Sequence, residues 1–211
     1  MIVNNISKIS SLLKFKEGIF YYVQVIQRRK DHPDQPVSDI KRYQTFITSQ
    51  KDFEYHLPRI KTVCDIYEAR AYISLIPRSL EKLTKQCALE YVKRINIGKY
   101  DRAWDIPNRL ALSDDIRAKG VFPKPRWIFD VDDLSGYQEI IDKLEEVKIP
   151  IVSELETVSG KHIIVEAFNP KLLQEYKFKE DYKLPGGAVA TFRPDCNTVL
   201  YANIPEILIT E

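Results

Sequence analysis

The chain carries Trp127-Ile128-Phe129-Asp130-Val131-Asp132, an apolar run that ends in two carboxylates spaced by two residues. In a β-strand, residues i and i+2 project from the same face, so Asp130 and Asp132 are expected to point the same way. Two like charges side by side are costly to bury unless something positive lies between them. Because hard oxygen ligands suit hard cations, we predict a divalent metal site here, with Mg²⁺ or Mn²⁺ as the ion.

A second informative stretch reads Ser159-Gly160-Lys161-His162-Ile163-Ile164-Val165. It places His162 at the start of an apolar strand, directly after a small Ser-Gly turn. If this strand is the neighbour of the strand that ends in Asp130 and Asp132, the histidine and the two acids form one site.

Composition narrows the class of protein. The chain has 211 residues, of which 44% are hydrophobic and 29% charged, which is typical of a globular protein and not of a disordered one. The net charge of +2 gives no global signal for nucleic acid, so any basic surface must be local. Cys64, Cys87 and Cys196 are widely spaced, which predicts reduced thiols and argues against structural zinc. The apolar patch near Ile19–Ile26 is too short to span a bilayer, so we expect a cytoplasmic protein without membrane association.

The N-terminal part of the chain is predicted to be an α/β unit. Aromatic and β-branched residues predict strands at Phe20–Gln27, Arg42–Ser49 and Arg70–Ile76. A helix is then predicted from a Ser79 cap to Gly98. Its apolar positions follow three- and four-residue spacing and are Leu80, Leu83, Cys87, Tyr91 and Ile95. An irregular stretch rich in proline follows, which predicts a boundary between residues 1–115 and residues 116–211.

The C-terminal part alternates strands and helices in a recognisable order. Strands are predicted at Trp127–Val131, Ile151–Leu155, His162–Phe168, Ala188–Phe192 and Thr198–Ala202, with helices at Tyr137–Val147 and from Asn169 to Tyr176. The order β-α-β-β-α-β is that of the ferredoxin-like or RRM-like unit, so the predicted fold class is α+β. In that unit the first and third strands are adjacent and antiparallel. The acids at the end of the first strand should therefore meet His162.

Alternation along the strands divides their side chains between two faces. Trp127, Phe129 and Val131 are expected to face the helices, whereas Asp130 and His162 share the opposite face. A half-polar face needs a cover, and the N-terminal unit is the available candidate. We therefore expect a cleft between the two parts of the chain.

These features resemble the archaeo-eukaryotic primase superfamily, in particular the small primase-polymerases of phages and plasmids. The resemblance is carried by an apolar strand ending in D-x-D, here Asp130 and Asp132, and by a small-residue turn ending in His162. It implies that residues 116–211 form an RRM-like catalytic core packed against the N-terminal α/β unit in one compact module. It also implies a DNA primase or other nucleotidyltransferase that makes or extends primers on a single-stranded template, in the host cytoplasm if the chain is phage-encoded.

The resemblance assigns roles to individual residues. Asp130 and Asp132 match the metal-binding pair, and His162 matches the histidine that contacts the incoming NTP or dNTP. The superfamily places a third acid at the start of the last core strand, which lies beside the first. Asp195 is the candidate here for a catalytic, metal-binding role, with a plain turn residue as the alternative, and Glu166 is a weaker candidate.

Cationic and polar side chains complete the expected site. The residues expected to bind the nucleotide, besides His162, are Ser159, Lys161, Arg78 and Arg193. Local basic patches are expected to follow the single-stranded DNA template, and their residues are Arg28, Arg29, Lys30, Lys124 and Arg126. Since the chain shows no helicase or zinc module, a helicase or another replication protein is an expected partner.

Three other interpretations of the same residues stay open. The run Phe129-Asp130-Val131-Asp132-Asp133 resembles the nucleophile motif of haloacid-dehalogenase-like phosphatases, although that motif normally belongs to a parallel sheet. A primase-like protein without activity would still bind a nucleotide or a nucleic acid. A simple RRM would display stacking aromatic residues where this chain has acids and a histidine.

Overall fold

The apolar run at Trp127 forms the core of a strand in one of two antiparallel sheets, and the fold is α+β. The computed structural model describes residues 1–33, 38–122, 124–178, 181–183 and 189–204. The strands are β1 (Ile2–Asn4), β2 (Ile19–Gln27), β3 (Ile40–Ile47), β4 (Arg70–Ser74), β5 (Arg78–Ser79), β6 (Arg126–Val131), β7 (Ile151–Glu156), β8 (Lys161–Glu166), β9 (Lys177–Phe178), β10 (Asp181–Lys183), β11 (Val189–Arg193) and β12 (Asn197–Asn203). The α-helices are α1 (Ile6–Leu12), α2 (Gln50–Tyr67), α3 (Leu80–Asn96), α4 (Ile106–Leu110) and α5 (Tyr137–Glu146).

The second sheet has the strand order β7-β8-β6-β11-β10-β9. Strand β6 pairs antiparallel with β8 on one side and with β11 on the other, so the predicted adjacency of the two motif-bearing strands is confirmed. The predicted alternation is also confirmed. Phe129 and Val131 pack with Ile140 and Leu144 of α5, whereas Ile128 packs into the core shared with the first sheet.

The first sheet has the order β1-β12-β4-β2-β3, with β5 paired to the end of β2. Strand β2 is buried on both faces because it separates two clusters of apolar side chains. Tyr21 and Val23 contribute to the cluster beneath α1 and α2, which also receives Ile128 from the second sheet. Phe20 and Tyr22 contribute to the cluster beneath α3 and α4.

Helix α3 follows its predicted pattern at the start and departs from it at the end. The Ser79 hydroxyl accepts a hydrogen bond from the backbone N–H of Lys82, as expected of an N-cap, and Leu83 and Cys87 are buried. Ile95 was expected on the same buried face, but 58% of it is exposed. The last turn of α3 therefore extends past the elements that cover its beginning.

The last strand, β12, corrects one expectation. Thr198–Ala202 was expected to continue the sheet that holds Asp130, but β12 pairs with β1 and β4 in the first sheet. The strand beside β6 is β11, and Ala188, where that strand was predicted to begin, lies outside the described residues. Strand β12 therefore belongs to the sheet of the N-terminal strands, although it follows the boundary predicted between residues 115 and 116. The segment that links β11 to β12 connects the two sheets.

No helix in the described part of the chain is long and apolar enough to cross a membrane. Cys64, Cys87 and Cys196 are free thiols and are buried.

Candidate functional site

A cleft of about 280 Å³ lies between the two sheets. Six of the predicted site residues line it from the second sheet and its adjoining turns, namely Asp130, Asp132, Ser159, His162, Arg193 and Asp195. Two of the predicted template residues, Arg28 and Lys30, line it from the first sheet. The structure thus brings the acids, the histidine and four cations and hydroxyls of the prediction to one place.

Strand register brings Asp130 and His162 together. The two residues are direct partners in the antiparallel pair β6–β8, so their side chains leave the sheet on the same face. Asp130 Oδ1 lies 3.1 Å from His162 Nε2, and both residues are more than 90% buried. The predicted meeting of the first acid and the histidine is confirmed.

The turn before β8 explains why small residues precede the histidine. A Cβ atom on Gly160 would lie 2.0 Å from the carbonyl oxygen of Val131, so only glycine allows the turn to approach the end of β6 this closely. The Ser159 hydroxyl donates a hydrogen bond of 2.7 Å to Asp132 Oδ1. The turn therefore holds Asp132 in position.

Asp130 is held between two cationic or potentially cationic groups. Arg193 Nη2 lies 2.6 Å from Asp130 Oδ2, and His162 contacts the other carboxylate oxygen. Burial by itself raises the pKa of Asp130, but the hydrogen bond from His162 and the charges of His162, Arg193 and Lys30 outweigh it. The pKa of this carboxyl therefore lies below its ordinary value, and Asp130 is an anion at neutral pH.

His162 also ties the site to the first sheet. Its Nδ1 lies 2.8 Å from Thr198 Oγ1 on β12, and Thr198 is fully buried. The imidazole thus bridges a carboxylate on one sheet and a hydroxyl on the other, which fixes the ring orientation. Thr198 was missed at the sequence level because β12 was assigned to the wrong sheet.

The opposite wall of the cleft is rich in cations. Burial lowers the pKa of Lys30, and the positive charges of Arg70 and Arg28 lower it further, against the attraction of Asp31 and Asp132. Three cations thus line this side of the cleft, and Asp31 and Asp39 neutralise part of their charge.

Two anchors hold this wall in place. Arg70 makes a two-pronged ion pair with Asp31, and both side chains are buried. Arg28 Nη1 donates to the Tyr72 hydroxyl over 3.3 Å and its Nε lies 3.6 Å from Asp39 Oδ2. Arg70 and Tyr72 also line the cleft. The predicted strand Arg70–Ile76 places Arg70 and Tyr72 on the same face. The sequence did not predict which sheet lies opposite that face.

Two residues predicted to bind the nucleotide are not among the described residues that line the cleft. Arg78 is 1% exposed and donates to the carbonyl oxygen of Ser113 over 2.5 Å. Burial and the neighbouring Arg117 lower the pKa of Arg78 to about 10. Lys161 leaves β8 on the side opposite His162, where its ammonium lies 4.6 Å from the centre of the Tyr137 ring.

Three residues predicted to contact nucleic acid also lie outside the described lining of the cleft. The backbone N–H of Arg29 donates to Asp39. Lys124 pairs with Glu166 at 3.3 Å, and Arg126 donates to the carbonyl oxygen of Leu12 and stacks on Phe122. Arg126 begins β6 and Lys124 precedes it, so most of the length of the strand separates both from Asp130.

The acids fit a divalent cation by donor type, because Asp130, Asp132 and Asp195 all line the cleft and carry hard oxygen ligands. Asp195 lies in the turn between β11 and β12 and also lines the cleft. Its position is therefore compatible both with a turn residue and with a residue of the site. In the described residues, no three or more histidine, cysteine or acidic side chains are grouped so that they could hold a metal ion. The Asp130 carboxylate is occupied by Arg193 and His162, so a cation there requires the Arg193 side chain to turn away.

Comparison with known proteins adds no relative to this picture. The chain matches no protein-family model and has no significant match among curated proteins or solved structures.

Proposed function

We propose that the protein is a primase-like nucleotidyltransferase that extends or starts primers on a single-stranded template with Mg²⁺ or Mn²⁺ as cofactor. One observation carries the proposal. A single cleft has Asp130, Asp132, Asp195, His162 and Arg193 on one side, and Arg28, Lys30, Arg70 and Asp39 on the other. Carboxylates that can hold a metal thus face cations that can pair with phosphate groups, as binding of a metal-bound nucleoside triphosphate requires.

The strand order supports an RRM-like core. The four strands β7-β8-β6-β11, with α5 connecting β6 to β7, have the order and the antiparallel pairing of a β-α-β-β-α-β unit. In this proposal, β10 and β9 extend the unit at one edge, and the first sheet covers its open face. Such an arrangement agrees with the resemblance to the primase superfamily.

Each side chain has a defined task in this proposal. Asp130, Asp132 and Asp195 would hold the metal, which would supply Lewis-acid activation of the attacking 3′-hydroxyl and neutralise the charge of the departing pyrophosphate. His162 is held by Thr198 through Nδ1, and its Nε2 exchanges the Asp130 carboxylate for a phosphate oxygen as the nucleotide enters. Arg193 exchanges the Asp130 carboxylate for the triphosphate as the nucleotide enters.

The cations on the first-sheet side of the cleft are proposed to neutralise the negative charge of the substrate that the metal does not neutralise. Arg28 and Lys30 project into the same cleft as the acids, so they neutralise either the triphosphate or the template strand beside it. Arg78, Lys161, Lys124 and Arg126 have other partners and are left out of the mechanism. A cytoplasmic location agrees with the three free cysteines, and a helicase or other replication protein is the proposed partner class.

Incorporation of labelled NTPs and dNTPs on a primed and an unprimed single-stranded template tests the proposal, with Mg²⁺ and Mn²⁺ supplied separately. Asp130→Asn and Asp132→Asn are expected to lower incorporation at least about a hundredfold, because loss of even an outer-shell partner of a metal ligand costs about 10- to 100-fold. Asp133→Asn is the matched control, because this neighbouring carboxylate accepts a hydrogen bond from the Ser135 N–H and does not line the described part of the cleft. Incorporation that survives both of the first two substitutions contradicts the mechanism.

A second candidate is a nucleotide-binding protein of the same fold without transferase activity. The observation that favours it is the Asp130–Arg193 ion pair, which occupies the first acid. Calorimetry with Mn²⁺ and a non-hydrolysable nucleotide separates the two, because binding without incorporation supports this candidate. A haloacid-dehalogenase-like phosphatase is disfavoured, because β6 has antiparallel neighbours on both sides instead of the parallel ones that this class requires.

A further inference from the structure

Helix α3 presents a second face that the proposed function does not use. Its first face is buried through Leu83 and Cys87 against α4 and β2. Its opposite side is a shallow apolar groove, open to solvent and lined by α3 and its C-cap residue alone. The groove is lined by Lys85, Ala88, Leu89, Val92, Lys93, Asn96 and Ile97.

The groove has the spacing of a helix-docking surface. Leu89, Val92 and Ile97 are 57–67% exposed, although residues of this kind are normally buried. Neighbouring apolar side chains that stay in water mark an interaction site more often than isolated ones do. Residues at positions 85, 89, 92 and 96 follow each other by three and four, so they form one stripe along the helix that a second helix fits.

Charge decides what kind of partner fits the stripe. Helix α3 carries four basic and two acidic residues, and each acid is paired with a basic residue one turn later, Glu81 with Lys85 and Glu90 with Arg94. The Lys85–Glu81 pair is more than 70% exposed on both sides, so it contributes little and Lys85 remains available to a partner. The edges of the groove are therefore positive, through Lys85 and Lys93.

A second copy of this chain fits the groove poorly. Lys85 and Lys93 lie four residues before and after Leu89. Two copies packed antiparallel about Leu89 would bring Lys85 of each opposite Lys93 of the other, and a parallel pair would bring equal lysines together. Like charges at that distance oppose association.

We propose that this groove binds an amphipathic helix of another protein, with apolar anchors at three- and four-residue spacing and flanking glutamates or aspartates. The surface lies on α3 and away from the cleft residues, so the proposal is independent of the nucleotidyltransferase assignment. Binding should weaken as salt rises, because part of the attraction is between exposed charges.

The test uses the full chain and a fluorescein-labelled helical peptide of about 18 residues, long enough to cover α3. The peptide carries leucines at three- and four-residue spacing with flanking glutamates, and a matched peptide carries lysines in their place. Fluorescence anisotropy is expected to give affinity about tenfold higher for the acidic peptide at low salt. The double variant Lys85→Glu/Lys93→Glu should invert this preference, and Leu89→Ser should weaken binding of the acidic peptide about tenfold. Leu134→Ser, another exposed leucine, is the matched control and should change nothing.

Several results would overturn the proposal. Equal binding of both peptides, or binding of neither, removes the argument from charge. A concentration-dependent dimer in sedimentation that Leu89→Ser abolishes assigns the groove to a second copy instead. Binding to phosphatidylserine vesicles that Leu89→Ser abolishes assigns it to a membrane surface. All substituted positions are exposed, so thermal unfolding close to that of the wild-type protein is expected and verifies that the variants are folded.

Discussion

Replacing Gly160 with alanine is the sharpest test of how the turn before β8 builds the site. The added Cβ would lie 2.0 Å from the Val131 carbonyl oxygen and 2.9 Å from Asp132 Cα, whereas an ordinary contact begins at 3.4 Å. Both obstacles are backbone atoms, which a side-chain rotation cannot move. The turn must therefore shift away from the end of β6 by about 1 Å or more.

We expect the substitution to lower the free energy of unfolding by about 3 kcal/mol or more, the upper end of what overpacking costs. The shift also separates Ser159 from Asp132 and moves His162 relative to Asp130, so binding of a metal–nucleotide complex should fall together with stability. Denaturation in urea, followed by intrinsic fluorescence, measures the first effect. Calorimetry with Mn²⁺ and nucleotide measures the second.

Gly98→Ala is the matched control. Gly98 has a left-handed backbone with φ of +67° and open space around it, so alanine there meets no atom. Its cost is conformational only, about 1 kcal/mol. If Gly160→Ala is no more destabilising than Gly98→Ala, the close approach between the turn and β6 does not exist in solution and the reasoning is wrong.

Three further predictions concern buried ionisable groups. Asp31→Asn leaves the buried Arg70 guanidinium without its counter-charge and should lower the free energy of unfolding by about 3–5 kcal/mol, as urea denaturation can measure. A decrease below about 1 kcal/mol would contradict the buried ion pair. The pKa of Asp130 is lower in the folded protein than in the unfolded chain, so its contribution to stability is complete above the unfolded pKa and is lost as the pH falls through the folded pKa. Asp130→Asn should therefore make the free energy of unfolding fall less steeply between about pH 5 and pH 2. An unchanged slope would refute this prediction. Burial raises the pKa of Cys64 and of Cys196 to about 12, so iodoacetamide at neutral pH should label both only after unfolding, as mass spectrometry can measure, and rapid labelling of the folded protein would contradict their burial.

The apolar spacing of α3 illustrates a partial success of sequence reasoning. Three- and four-residue spacing predicted the helix and its buried residues Leu83 and Cys87, since that periodicity reflects the helix itself. The same pattern wrongly included Ile95. Whether a residue at the end of a helix is covered depends on how far the neighbouring elements extend, which periodicity does not encode.

The sequence by itself determined the local parts of the candidate site. Alternation put Asp130 and Phe129 on opposite faces of β6, and the small residues Ser159 and Gly160 predicted a tight turn before His162. These are properties of a strand and a turn, and neighbouring residues along the chain are enough to establish them.

Only the tertiary structure decided which residues close the cleft. Strand β12 lies in the first sheet, so Thr198 reaches His162 from across the site, and Arg193 reaches Asp130 from the end of β11. Arg78 is excluded because it is buried and donates to the carbonyl oxygen of Ser113, and Lys161 because it leaves β8 on the face opposite His162. The physical reason is that strand pairing and ion-pair choice depend on groups distant in sequence, which compete for the same partner only once the chain has folded.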